Sequence, residues 1–244
     1  MNQFGTENLH TGRGMQSRPK RSFAPAWSVV GGRHAGNYWE GYSLKLGRVV
    51  QFYSDLEYDH WVLVESDPNV EDFCEQPVIV SGWLDGRIVE SRIDFWLRQR
   101  NGTELFRGVR YDRDITGPTR RMGPQRSVQI ERDWALRNGE RYEVVTEIRI
   151  RAHPALLQNW KRVLHYLRTH RTECSIHGGE ELVRSRFATA SAISMEALVR
   201  DMHPAVSREA ARLLIFRHLH AGVLEADMAT TCFGDNTIFK LRST

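Results

Sequence analysis

The segment Ile88–Asp112, IVESRIDFWLRQRNGTELFRGVRYD, decides the fold expected for this chain. Its first half is rich in β-branched and aromatic residues, which favours a strand over 88–98. Asn101-Gly102 then predicts a tight hairpin turn, and Thr103–Asp112 is expected to return as an antiparallel strand. Asp94 lies within the apolar first strand, where a carboxylate needs a partner if it is buried.

The flanking residues continue this alternation of helices and strands. Before the segment, we predict a strand over Val49–Tyr53, a helix from Ser54 to about Glu65, and a strand over Val70–Val80. After it, Gln125–Arg137 has helical spacing and Tyr142–Ile150 alternates as a strand. The order of helix, three strands, helix and strand predicts an α/β domain over 23–152, with a mixed sheet flanked by helices.

The chain becomes helical after His153-Pro154. Helices are predicted over Ala155–Thr169, about 180–188, Ser194–Met202 and Ser207–His220, and short strands over Val223–Ala226 and Thr237–Leu241. Helices followed by a β-hairpin are typical of a winged helix. We therefore expect a helical winged-helix domain over 153–244.

Composition favours a soluble globular protein. Of the 244 residues, 41% are hydrophobic, which supports buried cores, and the longest apolar runs are too short to cross a bilayer. The polar N-terminus lacks the apolar stretch of a secretory signal. Three widely spaced cysteines predict neither a zinc site nor a disulfide framework, and they fit a reducing compartment such as the prokaryotic cytosol.

The net charge of +4 permits a polyanionic partner without requiring one. Residues 1–22 are predicted to form a flexible basic arm, which is either a solvated tail or a segment that touches DNA phosphates. The last long helix carries further arginines, which either face phosphate or lie on a solvated face. The candidate DNA contacts are Arg18, Lys20, Arg21, Arg208 and Arg212.

The predicted layout suits metal-dependent cleavage of DNA. Phosphodiester hydrolysis uses a divalent metal to polarise the phosphate, and Mg²⁺ usually takes one or two protein carboxylates. Glu57 on the first helix and Asp94 on the strand are the candidate carboxylates. The next strand offers Gly108 and Arg110 where an acid and a lysine are needed on one face. Glycine provides no ligand, and arginine does not exchange protons with water, although it holds phosphate.

Each of these assignments has an alternative. Glu104 and Asp112 share strand parity with Gly108, so either is a candidate for a relocated metal ligand. Ser54-x-x-Glu57 fits a capping box, in which Glu57 stabilises the helix N-terminus. Arg110 is either a phosphate clamp or a structural ion-pair residue.

Several motifs, in their order and spacing, resemble the TnsA endonuclease subunit of heteromeric transposases. They are Ser54-x-Leu56-Glu57, Asp67-Pro68-x-Val70, Gln76-Pro77 and Ile93-Asp94-Phe95, with Asn159 and Leu214–Gly222 in the C-terminal part. The resemblance covers most of the chain after about residue 23. It implies a PD-(D/E)xK restriction-endonuclease-like domain followed by a winged-helix domain.

The resemblance also implies a function. TnsA-like subunits cut the 5′ strands at transposon ends beside a DDE-type transposase and contact an AAA+ regulator. Glu57 and Asp94 match the family's metal ligands, with Mg²⁺ as the expected metal, whereas Gly108 replaces a glutamine or acid and Arg110 replaces the lysine. We therefore expect a transposition protein with an impaired or inactive nuclease site, acting as an architectural partner on double-stranded transposon-end DNA.

Two other functions fit the sequence. One is an active divergent metal-dependent endonuclease, in which Asp112 or Glu104 replaces the missing ligand and Arg110 clamps the phosphate. The other is a winged-helix DNA-binding regulator unrelated to transposition.

Overall fold

The structure is a computed structural model, and it describes residues 21–26, 37–117, 123–171 and 178–243. The helices and strands in these ranges are, in chain order, β1 Trp39–Ser43, β2 Arg48–Phe52, α1 Asp55–Ser66, β3 Val70–Leu84, β4 Arg87–Gln99, β5 Glu104–Arg110, α2 Asp112–Thr116, α3 Gly123–Asn138, β6 Tyr142–Thr146, α4 Glu147–Ile150, α5 Pro154–Thr169, α6 Gly179–Arg186, β7 Ile193–Ser194, α7 Met195–Met202, α8 Arg208–His220, β8 Leu224–Ala226 and β9 Ile238–Leu241.

A mixed four-stranded sheet forms the centre of the N-terminal half. Its order is β3-β4-β5-β6, with antiparallel neighbours except for the parallel pair β5 and β6. On one face, Phe95 and Leu97 of β4 join a hydrophobic cluster with Trp61 of α1, and on the other Trp96 packs with Ile130 of α3. The predicted mixed sheet flanked by helices is therefore confirmed.

The turn between β4 and β5 follows from the sequence signal at Asn101-Gly102. Gly102 has a φ of +80°, a conformation that glycine adopts without the steric cost that a Cβ would add. The backbone N–H of Gln99 donates to the carbonyl of Thr103 at 2.8 Å, which closes the hairpin. This turn sets the register in which Phe95 lies opposite Arg107.

Two strand predictions are wrong at their C-terminal ends. β5 ends at Arg110, and Asp112 begins α2, so Asp112 does not extend the strand. β6 ends at Thr146 and is followed by the short helix α4. A tertiary contact joins both changes, because the backbone N–H of Asp112 donates to the Glu147 carboxylate at 2.7 Å. Local sequence patterns carry no signal for such a contact.

The C-terminal half contains α5 to α8 and a small sheet of order β7-β9-β8. The helices and the strands β8 and β9 lie within a few residues of their predicted positions, whereas β7 was not predicted. A single hydrophobic cluster extends from Phe52 and Trp61 through Leu164 of α5 to Leu214 of α8 and Phe239 of β9. Buried side chains from both predicted domains therefore pack in the same cluster.

Asp59 of α1 adds a polar link between the two halves. Its carboxylate accepts from Arg151 at 2.7 Å and forms an ion pair with Lys161 of α5 at 2.5 Å. Along the described stretches of the chain, no helix has the length and apolar character needed to span a membrane.

Candidate active site

An open cleft of about 450 Å³ lies where α1 begins and β5 ends. The strands β4 and β5 form its floor, and the first turns of α1 and α3 form its sides. The charged residues that line it are Glu57, Glu90, Arg92, Asp94, Arg110 and Asp114. The structure thus brings together Glu57, Asp94 and Arg110, three of the residues predicted to form the site.

Asp94 is the acid at the floor of the cleft, and it is only 7% exposed. Its Oδ2 atom accepts from the backbone N–H of Val109 at 2.6 Å and from the Nη1 atom of Arg110. Both donors come from β5, the strand next to β4. Asp94 therefore has the partners that a carboxylate in an apolar strand requires.

Arg110 bonds a second carboxylate, that of Glu131 on α3. Its Nη2 atom donates to Glu131 Oε1 at 2.6 Å, so one guanidinium joins Asp94 to Glu131. Burial opposes the charged form of Arg110, but the two adjacent carboxylates outweigh burial and raise the pKa of the guanidinium above its usual value. The guanidinium stays charged and is the counter-ion of both acids.

Glu131 has no exposed surface and was not predicted to belong to the site. The Ser91 hydroxyl donates to its Oε1 atom at 2.5 Å, and the Tyr142 hydroxyl donates to its Oε2 atom. Burial, and then the nearby charge of Asp94, raise the pKa of Glu131, while Arg110 opposes that rise. The sequence did contain a signal for its burial, because Glu131 has helical spacing with the buried residues Val128 and Ala135.

Gly108 lies directly beside the Glu131 carboxylate. A Cβ atom at position 108 would be 2.8 Å from Glu131 Oε2 and would also collide with the Tyr142 hydroxyl. The strand position that lacks an acid in the sequence is therefore next to an acid in space. The α3 helix supplies a carboxylate where the strand residue has none.

Glu57 serves as a helix cap and also faces the cleft. Its backbone N–H donates to Ser54 Oγ at 3.1 Å, and its Oε2 atom accepts from the backbone N–H of Tyr53 at 3.2 Å. The Ser54 half of the predicted capping box is confirmed, whereas the Glu57 carboxylate bonds the backbone N–H of Tyr53 instead of that of Ser54. Burial and the negative charge of Asp94 raise the pKa of Glu57 to about 7, so the two carboxylates interact across the cleft. Its role as a metal ligand stays a prediction.

The two alternative acids of β5 do not line the cleft. Glu104 is at the opposite end of the strand, where it forms an ion pair with Arg21 at 3.5 Å. Asp112 lies on α2, where its carboxylate accepts from the Thr116 hydroxyl at 3.1 Å. Asp114, two residues further along the chain, lines the cleft instead.

The chemistry available in the cleft depends on how these acids are paired. Carboxylate oxygens are the donors that Mg²⁺ prefers. Within the described ranges, however, no three or more Asp, Glu, His or Cys side chains form a group arranged to hold a metal ion. Asp94 and Glu131 are directed at Arg110, and Glu57 is directed at the start of α1. As it stands, the arrangement pairs acids with a fixed cation.

The predicted DNA contacts are only partly described. Arg18 and Lys20 lie outside the described residues. Arg21 is not on a free arm, because its Nη1 atom donates to Glu140 at 2.7 Å and its guanidinium lies 5.2 Å from the centre of the Phe23 ring. Arg208 is exposed at the start of α8, and Arg212 pairs with Asp235 at 3.1 Å in an exposed ion pair.

No protein-family model matches this sequence, and no curated protein matches it.

Proposed function

We propose that this chain is a TnsA-like subunit of a transposition complex whose nuclease-like cleft does not cleave DNA. In this role it binds transposon-end DNA and acts as an architectural partner of a DDE-type transposase. The observation that carries the proposal is the Arg110 guanidinium, which joins Asp94 to Glu131. It supplies one positive charge between these acids, in the place that a divalent metal would otherwise take.

The chemistry of arginine supports loss of cleavage. A guanidinium with a raised pKa does not take a proton from an attacking water, and its donors here are used on carboxylates. Loss of one preorganised electrostatic group from an active site typically lowers the rate by about 10²–10³-fold. A cleft without the lysine and with both acids occupied is expected to lose at least that much.

The C-terminal half supports the DNA-binding part of the proposal. The order of α7, α8 and the antiparallel pair of β8 and β9 supports the proposed winged helix. We place Arg208 and Arg212 of α8 against DNA phosphates, with the exposed pair to Asp235 exchanged for a phosphate on binding. The same half is the proposed contact with an AAA+ regulator.

Strand-specific cleavage mapping tests this function. The full chain is mixed with a candidate DDE-type transposase from a neighbouring gene, end-labelled transposon-end DNA, and Mg²⁺ or Mn²⁺. We expect products of 3′-strand cleavage alone, in a yield that depends on this chain. A 5′-strand cut that disappears in Asp94→Asn, but persists in the exposed control Asp85→Asn, would overturn the proposal.

A second candidate function, an active divergent endonuclease, is favoured by one observation. Glu131 places a third carboxylate beside Asp94 and next to the position of Gly108. In that case a DNA phosphate displaces Arg110 from the acids, and both Asp94→Asn and Glu131→Gln abolish the 5′-strand cut. Wild-type cutting in either variant excludes this function.

A further inference from the structure

We infer that Glu131, carried by α3, stands in for the acid that β5 lacks at Gly108, and that Arg110 and a divalent cation compete for Asp94 and Glu131. The inference rests on the proposed function in one respect, because it takes the cleft as a nuclease site that has changed. Beyond that function, Glu131 replaces the acid missing at Gly108, and Arg110 is bound where a cation would otherwise bind the two acids.

The Glu131 carboxylate occupies the space beside position 108. Glu131 Oε2 lies 2.8 Å from the point where a side chain at position 108 would begin. The carboxylate on α3 and a carboxylate at 108 would therefore compete for the same space. Gly108 and Glu131 are complementary, since the small residue on β5 leaves the room that the helix carboxylate fills.

The two buried acids carry more negative charge than Arg110 offsets. Asp94 is 7% exposed and Glu131 is fully buried, whereas one guanidinium supplies a single positive charge to the pair. Burial of an uncompensated carboxylate is costly, so the pair retains a preference for more positive charge. The hydroxyl groups of Ser91 and Tyr142 reduce that preference without neutralising it.

Two carboxylates are enough protein ligands for a divalent cation. A magnesium or manganese ion needs only one or two protein carboxylates, because waters or substrate oxygens complete its shell. Asp94 binds the Nη1 atom and Glu131 binds the Nη2 atom of one guanidinium, so both carboxylates lie against the same side-chain group. Removal of this guanidinium leaves two adjacent carboxylates, Asp94 at the floor of the open cleft and Glu131 buried beside it.

Mn²⁺ binding to the full chain, measured by electron paramagnetic resonance, tests the inference. No DNA or transposase is present in this assay. We expect Arg110→Met to bind Mn²⁺ at least about tenfold more tightly than the wild type, a change that this assay resolves easily. Addition of either Asp94→Asn or Glu131→Gln to Arg110→Met should return the affinity to the wild-type level.

Arg107→Met is the matched control. Arg107 lies on the same strand, its side chain is 15% exposed like that of Arg110, and it bonds Glu143 at 2.6 Å. It pairs with one carboxylate instead of joining two, so its removal should produce no gain in Mn²⁺ affinity. An equal gain in Arg107→Met would show nonspecific binding to any freed acid and would overturn the inference.

Other outcomes are also decisive. Arg110→Met that binds no more tightly than the wild type, or that keeps its affinity after Glu131→Gln, overturns the inference. If Arg110→Met is unfolded in chelator, folding on addition of Mn²⁺ supports it and failure to fold in saturating Mn²⁺ overturns it. These results are independent of the cleavage assay, since a gain in metal binding by the variant stands whether or not the wild type cuts DNA.

Discussion

Substitution of Gly108 by alanine is the sharpest test of how the candidate site is packed. The new Cβ would be 2.8 Å from Glu131 Oε2 and would collide with the Tyr142 hydroxyl. Neither group moves freely, because Glu131 also bonds Arg110 and Ser91. The methyl group therefore forces the rearrangement of a buried polar network.

The expected cost follows from that crowding. Overpacking of a well-packed site typically costs about 1–3 kcal/mol, and loss of one hydrogen bond in the network of Glu131 falls in the same range. We expect Gly108→Ala to lower the free energy of unfolding by about 2 kcal/mol. For a chain of this size, that corresponds to a fall in the melting temperature of roughly 4–8 °C.

Urea unfolding of three proteins measures this effect. The wild type and Gly108→Ala are compared with Gly123→Ala, a control in which no atom lies within 4 Å of the new Cβ. Gly123 begins α3, so alanine there should be neutral or slightly stabilising. Adding Tyr142→Phe to Gly108→Ala removes the hydroxyl from the collision and should recover part of the loss.

An unchanged free energy of unfolding in Gly108→Ala would refute the reasoning. It would mean that Glu131 and Tyr142 do not fill the space beside position 108. The same crowding bears on restoration of a nuclease motif. Gly108→Glu with Arg110→Lys should be accommodated only when Glu131→Ala and Tyr142→Phe are also present.

Three further predictions concern other parts of the chain. Because the pKa of Glu57 is raised to about 7, its protonation favours folding, and this stabilisation is lost as the pH rises from 4.5 to about 7. In urea unfolding, the free energy of unfolding of Glu57→Gln should therefore decline less over that range than that of the wild type. An equal decline in the two proteins would refute the assignment. Asn159→Ala should lower the free energy of unfolding by about 2–4 kcal/mol, because this buried amide forms hydrogen bonds with three backbone groups of 228–233. The control Asn138→Ala, at an exposed amide, should lower it much less, and equal losses would contradict the prediction. Arg208→Ala and Arg212→Ala should each reduce the salt dependence of DNA binding by about one phosphate contact, and unchanged slopes would place α8 away from DNA.

Much of the fold could be predicted from local patterns. Ser54 begins α1 as its capping role predicts, and Asn101-Gly102 closes the hairpin between β4 and β5. In both cases the signal lies in residues that contact one another within a few positions. The helices of the C-terminal half were found for the same reason, since their apolar spacing is a local property.

The errors occur where a distant residue decides the local structure. Asp112 was expected on β5, but its backbone bonds Glu147 and it begins α2. Arg21 was expected on a flexible arm, but it bonds Glu140 and packs on Phe23. Glu147 and Glu140 lie far along the chain from Asp112 and Arg21, so no window of local sequence contains these two hydrogen bonds.

The sequence by itself determined the order of the longer helices and strands, the isolated acid in an apolar strand, and the absence of an acid or a lysine at 108 and 110, whereas β1, β7 and the short helices α2 and α4 were not predicted. Only the tertiary structure decided that Glu131 stands beside Gly108 and that Arg110 joins it to Asp94. The physical reason is that a carboxylate acts through its position in space, so any part of the chain can supply it. A strand motif, in contrast, is recognised from positions along the chain. The packing of α3 against the sheet brings a residue more than twenty positions away into the gap that the motif leaves.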